Sequence, residues 1–183
     1  MKLKVGVMGS AADTLSDDAA ATLRAKTEKL GRAIAAHALV LLTGATTGTP
    51  YLVGQFARAA GALHIGVSPA QNEREHIERY KLPTDACDLV IYTGFGFKGR
   101  NVVLVRSCDI ALFVGGSIGS LNEFTIAHDE GRVVGCLTGT GGTADEVRRL
   151  LQVLPRKTGA HIVAHDDPEQ LLDACLAALR EME

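Results

Sequence analysis

The chain has 183 residues, 46% hydrophobic and 22% charged, with a net charge of −2. That is the composition of an ordinary globular domain, whose usual size is ~100–200 residues, and residues 1–183 are read as a single domain. No basic block occurs and aromatics make up only 4% with no Trp, which argues against nucleic-acid binding, membrane-surface binding and stacking of single strands.

Leu3 to Met8 reads as a buried strand ending at Gly9-Ser10. Asp13 to Asp18 is polar and holds helix-start residues; Ala19 to His37 follows as a helix, with Leu23, Leu30 and Ile34 at helical spacing. Leu39 to Leu42 is a second strand, broken at Thr43 to Gly48. Pro50 suits the first turn of a helix continuing to Ala60, and Gly61 sits where that helix stops. Leu63 to Val67 is a third strand. Ser68 to Ala86 is irregular, with a short exposed helix in Asn72 to Tyr80. Leu89 to Tyr92 is a fourth strand, followed by a glycine-rich turn, Thr93 to Gly99, and a helix from Arg100 to Ser107. Ile110 to Val114 is a fifth strand. It runs into Gly115-Gly116-Ser117-Ile118-Gly119-Ser120 and a helix ending at Glu130. Val133 to Leu137 is a sixth strand. Thr143 and Glu146 have capping-box spacing at the start of a helix to Leu154. His161 to Ala164 is the last strand, and Asp167-Pro168 caps the closing helix.

Strands alternate with helices along nearly the whole length, and the strands are near-continuous apolar runs. That pattern predicts an α/β fold, a doubly wound, mostly parallel, Rossmann-like sheet with helices on both faces. In such sheets ligands bind beyond the carboxyl ends of the strands, at a topological switch point. Four polar, glycine-rich turns fall at those ends: Gly9-Ser10, Gly44 to Gly48, Gly94 to Gly99 and Gly115 to Ser120. The amides at the start of the helix after Gly116 suit an anion. The expected phosphate-binding residues are therefore Gly9, Ser10, Gly44, Gly48, Gly115, Gly116, Ser117, Ile118, Gly119 and Ser120.

Two charged residues stand beside these turns. Glu123 follows Ser120 by three, so the pair reads as a capping box, or else Glu123 meets ribose hydroxyls or acts on a water as general base. Arg100 closes the turn after the fourth strand; it reads as a surface salt bridge or as a planar fork for phosphate or carboxylate. Arg106 reads as a structural ion pair, Lys98 as an exposed lysine, and His76 and His128 as solvated. The cysteines, Cys87, Cys108, Cys136 and Cys175, form no CxxC pair; free thiols in a reducing cytoplasm are expected, with no metal and no resident cofactor. The apolar run at Met1 to Gly6 is too short for a signal peptide, and no apolar run reaches ~18 residues. A P-loop is absent, the first strand carries no dinucleotide fingerprint, and an α/β-hydrolase is not indicated.

Arg100, Arg106, Asp109 and Gly115 to Glu123 fall at the spacing of an arginine, an Asp-led strand and a PGGxGTxxE turn. In these the chain resembles the LOG-like, Rossmann-type nucleotide-binding family, many of whose members once carried a lysine-decarboxylase label. The resemblance implies hydrolysis of the N-glycosidic bond of nucleoside 5′-monophosphates, with Arg100 and Glu123 as the catalytic pair, and a homo-oligomer, dimer or tetramer. Gly115 stands for the motif's proline, Ser117 for its glycine and Ser120 for its threonine. These departures resemble the shorter branch that includes molybdenum-cofactor carrier proteins. That branch implies a carrier or sensor of a small phosphorylated ligand, a nucleotide or phosphorylated pterin, without turnover.

Overall fold

A computed structural model describes residues 1–10 and 17–182. The part of the helix-start signal at residues 13–16 lies outside the described residues. Among the described residues seven strands build one sheet: β1 (Lys4–Gly9), β2 (Val40–Thr43), β3 (Leu63–Ser68), β4 (Leu89–Tyr92), β5 (Ile110–Val114), β6 (Val133–Leu137) and β7 (His161–His165). They are joined by α1 (Asp17–Ala36), α2 (Thr49–Ala59), α3 (Glu73–Glu78), α4 (Gly96–Arg106), α5 (Ile118–Asp129) and α6 (Gly142–Val153), and α7 (Pro168–Glu181) closes the chain. Every strand pair is parallel and the order is β4-β3-β2-β1-β5-β6-β7.

Strand alternation divides the core in two. Val5, Val7, Ile110, Leu112 and Val114 pack against Leu30 and Ile34 of α1, Val53 of α2, and Leu171 and Leu172 of α7. Met8, Ala111 and Phe113 face Leu104 of α4, Phe124 of α5 and Val147 of α6. Both faces of the central strands are therefore covered, as their apolar runs require. The edges differ from that expectation: Leu89 and Ile91 of β4 are 54% and 46% exposed. No helix among the described residues is long and apolar enough to cross a membrane.

The chain reverses its winding between β1 and β5, the two central neighbours. The β1 and β5 turns leave this switch point side by side, where a crevice forms in such sheets. Two helices begin earlier than expected. The glycine turn after β4 is largely helix, since α4 starts at Gly96 and places Arg100 in its second turn. Helix α5 starts at Ile118 with Ser117 as its N-cap.

Candidate functional site

A cavity of about 270 Å³ opens over the β1–β5 switch point. The β1 end contributes Met8 and Gly9, the β2–α2 turn Gly44, Thr46 and Pro50, and α4 Phe97, Lys98, Arg100 and Asn101; α5 adds Ser117, Gly119, Ser120 and Glu123. Seven of the twelve expected site residues thus come together there. Ser10 is buried behind the wall, where its carbonyl accepts from the Thr49 amide at 2.9 Å. Gly48 is the N-cap of α2. Gly115, Gly116 and Ile118 shape the β5–α5 turn without lining the cavity. Sequence reasoning missed Met8, Thr46, Pro50, Phe97 and Asn101. Of these, Phe97 and Asn101 were legible from helical spacing, lying three before and one after Arg100.

The β5–α5 turn is held from both sides. The Gly115 amide donates to Thr140 Oγ1 at 2.8 Å, and the Thr143 and Ala144 amides at the start of α6 donate to the Gly116 and Gly115 carbonyls. Ser120 Oγ donates to the Gly9 carbonyl at 3.1 Å, tying α5 to the end of β1. The capping boxes are not formed. Ser120 lies inside the first turn of α5, so Glu123 is a second-turn residue. Thr143 Oγ1 donates to the Ser117 carbonyl at 3.0 Å, and Gly141 is the α6 N-cap.

Glu123 turns toward α4. Its Oε1 accepts from Arg100 Nη1 at 3.3 Å, with the two side chains 8% and 5% exposed. Arg100 is therefore no surface salt bridge. Its guanidinium lies against Gly44 so closely that a Cβ there would overlap Nη1. The inner end of the Asn101 amide faces the acceptors Glu123 Oε1 and the Phe97 carbonyl and is satisfied with its nitrogen there, Nδ2 donating to them at 3.0 Å and 2.9 Å. Arg100 Nε is buried with no hydrogen-bond partner among the described residues.

Burial dominates the electrostatics of this pair. It pushes the Glu123 carboxyl up to about 7, against the pull of Arg100 and Lys98. Burial likewise lowers Arg100 from its ordinary value, against the pull of Glu123. Desolvation outweighs the Coulomb attraction for both partners.

Two motif-like spacings in these turns lack the geometry they suggest. Gly115-x-Ser117-x-Gly119 has the spacing of a nucleophile elbow, so it is the geometry and not the motif that argues against an α/β-hydrolase serine nucleophile. Ser117 is extended, at φ −132° and ψ −160°, and no histidine lines the cavity among the described residues. Gly94-x-Gly96-x-x-Gly99 has dinucleotide-fingerprint spacing. However, the Gly94 and Gly96 amides donate to the Ala70 and Pro69 carbonyls, and the turn follows an edge strand.

Elsewhere, His76 is fully buried rather than solvated. Its Nδ1 bonds Ser68 Oγ at 2.8 Å and its Nε2 bonds the Pro83 carbonyl at 3.1 Å. His128 is half-buried beside the Phe124 ring. Arg106 pairs with Glu130, as its reading anticipated, and Lys98 is exposed at the cavity mouth.

Residues 2–172 match the sequence model of the SLOG cluster4 family. The chain belongs to the SLOG cluster4 family. The crystal structure of TM1055, a structural-genomics target, superposes with a TM-score of 0.83 at 27% identity, covering 97% of this chain and 99% of that one. The molybdenum cofactor binding protein of the phototrophic bacterium Rippkaea orientalis superposes at 0.77 with 25% identity, covering 98% of both chains. An uncharacterized protein of Archaeoglobus fulgidus is 31% identical over 109 residues, 60% of this chain and 66% of its own length, so the match spans just under two thirds of that relative. Family membership and these neighbours agree with the LOG-like, Rossmann-type resemblance and its carrier branch.

Proposed function

We propose that this cavity binds a small phosphorylated ligand and that the protein carries or senses it. The observation that carries the reading is the convergence of two cationic features on one cavity. One is the first turn of α5, whose Ile118, Gly119 and Ser120 amides have no intrahelical acceptor. The other is Arg100, 4% exposed, with an unpartnered Nε. Phosphate is seated against Ser117, Gly119 and Ser120, and Arg100 balances its charge. The similarity to a molybdenum cofactor binding protein makes a phosphorylated pterin the first cargo to test. The reading takes residues 1–183 as one domain of a homo-oligomer working in the cytoplasm.

A second reading, N-glycosidic hydrolysis of nucleoside 5′-monophosphates, rests on Glu123. A buried carboxyl titrating at about 7 is suited to orienting water or stabilising positive charge on ribose. Incubation with AMP and chromatography for free adenine separates the two. The carrier reading expects a rise in melting temperature with phosphorylated ligands and no adenine. Release of adenine by the wild type and its loss in Glu123→Gln establishes the hydrolase instead.

A further inference from the structure

We propose that Phe97 is a specificity-determining stacking platform, the residue through which the site prefers a ring-bearing phosphate over a bare sugar phosphate. This rests on the phosphate seat proposed above. Phe97 contributes the one aromatic ring among the described residues lining the cavity. It remains 45% exposed, although an apolar ring of this size gains from burial.

The ring is held in place before any ligand arrives. Tyr80, in the segment between β3 and β4, meets it edge-on, with centroids 5.2 Å apart and planes at 87°. The Arg100 guanidinium carbon lies 6.0 Å from its centroid. The Phe97 carbonyl accepts from Asn101 Nδ2, the group that also donates to Glu123. Phe97, Arg100 and Asn101 therefore form one face of α4 by helical spacing, and Phe97 is its apolar member. A fixed aromatic wall next to an anion seat matches a molecule with a planar ring at one end and a phosphate at the other. Stacking is tolerant of ring identity because every heteroaromatic has a π-face. The segment from Ser68 to Ala86 thereby gains a role: Tyr80 braces the platform.

The test is calorimetric titration of the whole protein with ribose 5-phosphate, AMP and GMP. Wild type, Phe97→Ala and Phe97→Tyr are compared. The platform predicts that the tighter-binding nucleotide exceeds ribose 5-phosphate by roughly tenfold or more in wild type. Phe97→Ala erases that margin and leaves ribose 5-phosphate within about twofold, while Phe97→Tyr keeps the margin. Equal affinity for nucleotide and sugar phosphate in wild type, or an unchanged margin in Phe97→Ala, overturns the platform and leaves the phosphate seat standing. If none of the three probes binds wild type, the phosphate seat itself is overturned, and the platform with it.

Discussion

Arg100 and Glu123 are a poor pair for stability alone. Each loses more hydration than the other returns, which is why both are shifted toward their neutral forms. Buried pairs of this kind are often matched or bettered by apolar side chains, whereas removal of one partner strands a charge at about 3–5 kcal/mol. Arg100→Met is therefore expected to lose stability increasingly in urea melts as pH rises above about 7, where the wild-type Glu123 ionises beside its cation and the variant's carboxyl must stay protonated. The double variant Arg100→Met, Glu123→Leu is expected to recover wild-type stability or exceed it, and to bind no phosphate. A double variant as unstable as the single one would mean that the pair is kept for the fold. Gly44 belongs to the same arrangement, since any side chain there displaces the guanidinium.

At the scale of elements, the β5–α5 turn depends on a left-handed backbone. Gly116 sits at φ +109°, and a Cβ there would stand 2.7 Å from Ser120 Cβ. Gly116→Ala combines that clash with backbone strain, each costing about 1–3 kcal/mol. Its expected signature is a lower urea midpoint together with faster hydrogen exchange at the start of α5, read by mass spectrometry. Normal exchange there would show that the turn accommodates a side chain. The sequence makes some elements plain and hides others. Leu89–Tyr92, Ile110–Val114 and Val133–Leu137 have the strand limits expected of them, because polar or glycine residues bracket each apolar run. The starts of α4 and α5 are obscured because Gly96, Gly99 and Gly119 read locally as turn, and tertiary packing overrides that propensity. In α5, three residues change the meaning of Glu123, from a capping-box member to a second-turn side chain facing Arg100. His76 is hidden for another reason: its partners, Ser68 Oγ and the Pro83 carbonyl, are set by the path of an irregular segment.

Across the whole molecule, two buried groups set opposing pH dependences. Glu123 titrates at about 7 in the fold, above its ordinary 4.5. The native state therefore holds the extra proton between those values, and stability falls as pH rises through that window. His64 is buried between Thr43 Oγ1 and the Ala86 carbonyl, and burial lowers its pKa from 6.5. Its contribution is present above 6.5 and is lost as pH falls below it. Comparison of Glu123→Gln with wild type isolates the first group. The wild type's advantage should shrink steadily in urea melts from about pH 5 to about pH 7. A pH-independent difference would mean that Glu123 does not titrate in this range.

The sheet topology gathers these groups. Strand order β2-β1-β5 brings the Gly44 turn, the end of β1 and the start of α5 to one crevice, and α4 crosses to it from the edge of the sheet. The alternation of strands and helices makes that convergence legible in the sequence. Whether the crevice seats phosphate is decided by calorimetric titration with ribose 5-phosphate, using ribose as the control. The expected result is binding that requires the phosphate, is competed by inorganic phosphate, and is absent from the Arg100→Met, Glu123→Leu variant. Equal heats for ribose and ribose 5-phosphate, or undiminished binding by that variant, would contradict it.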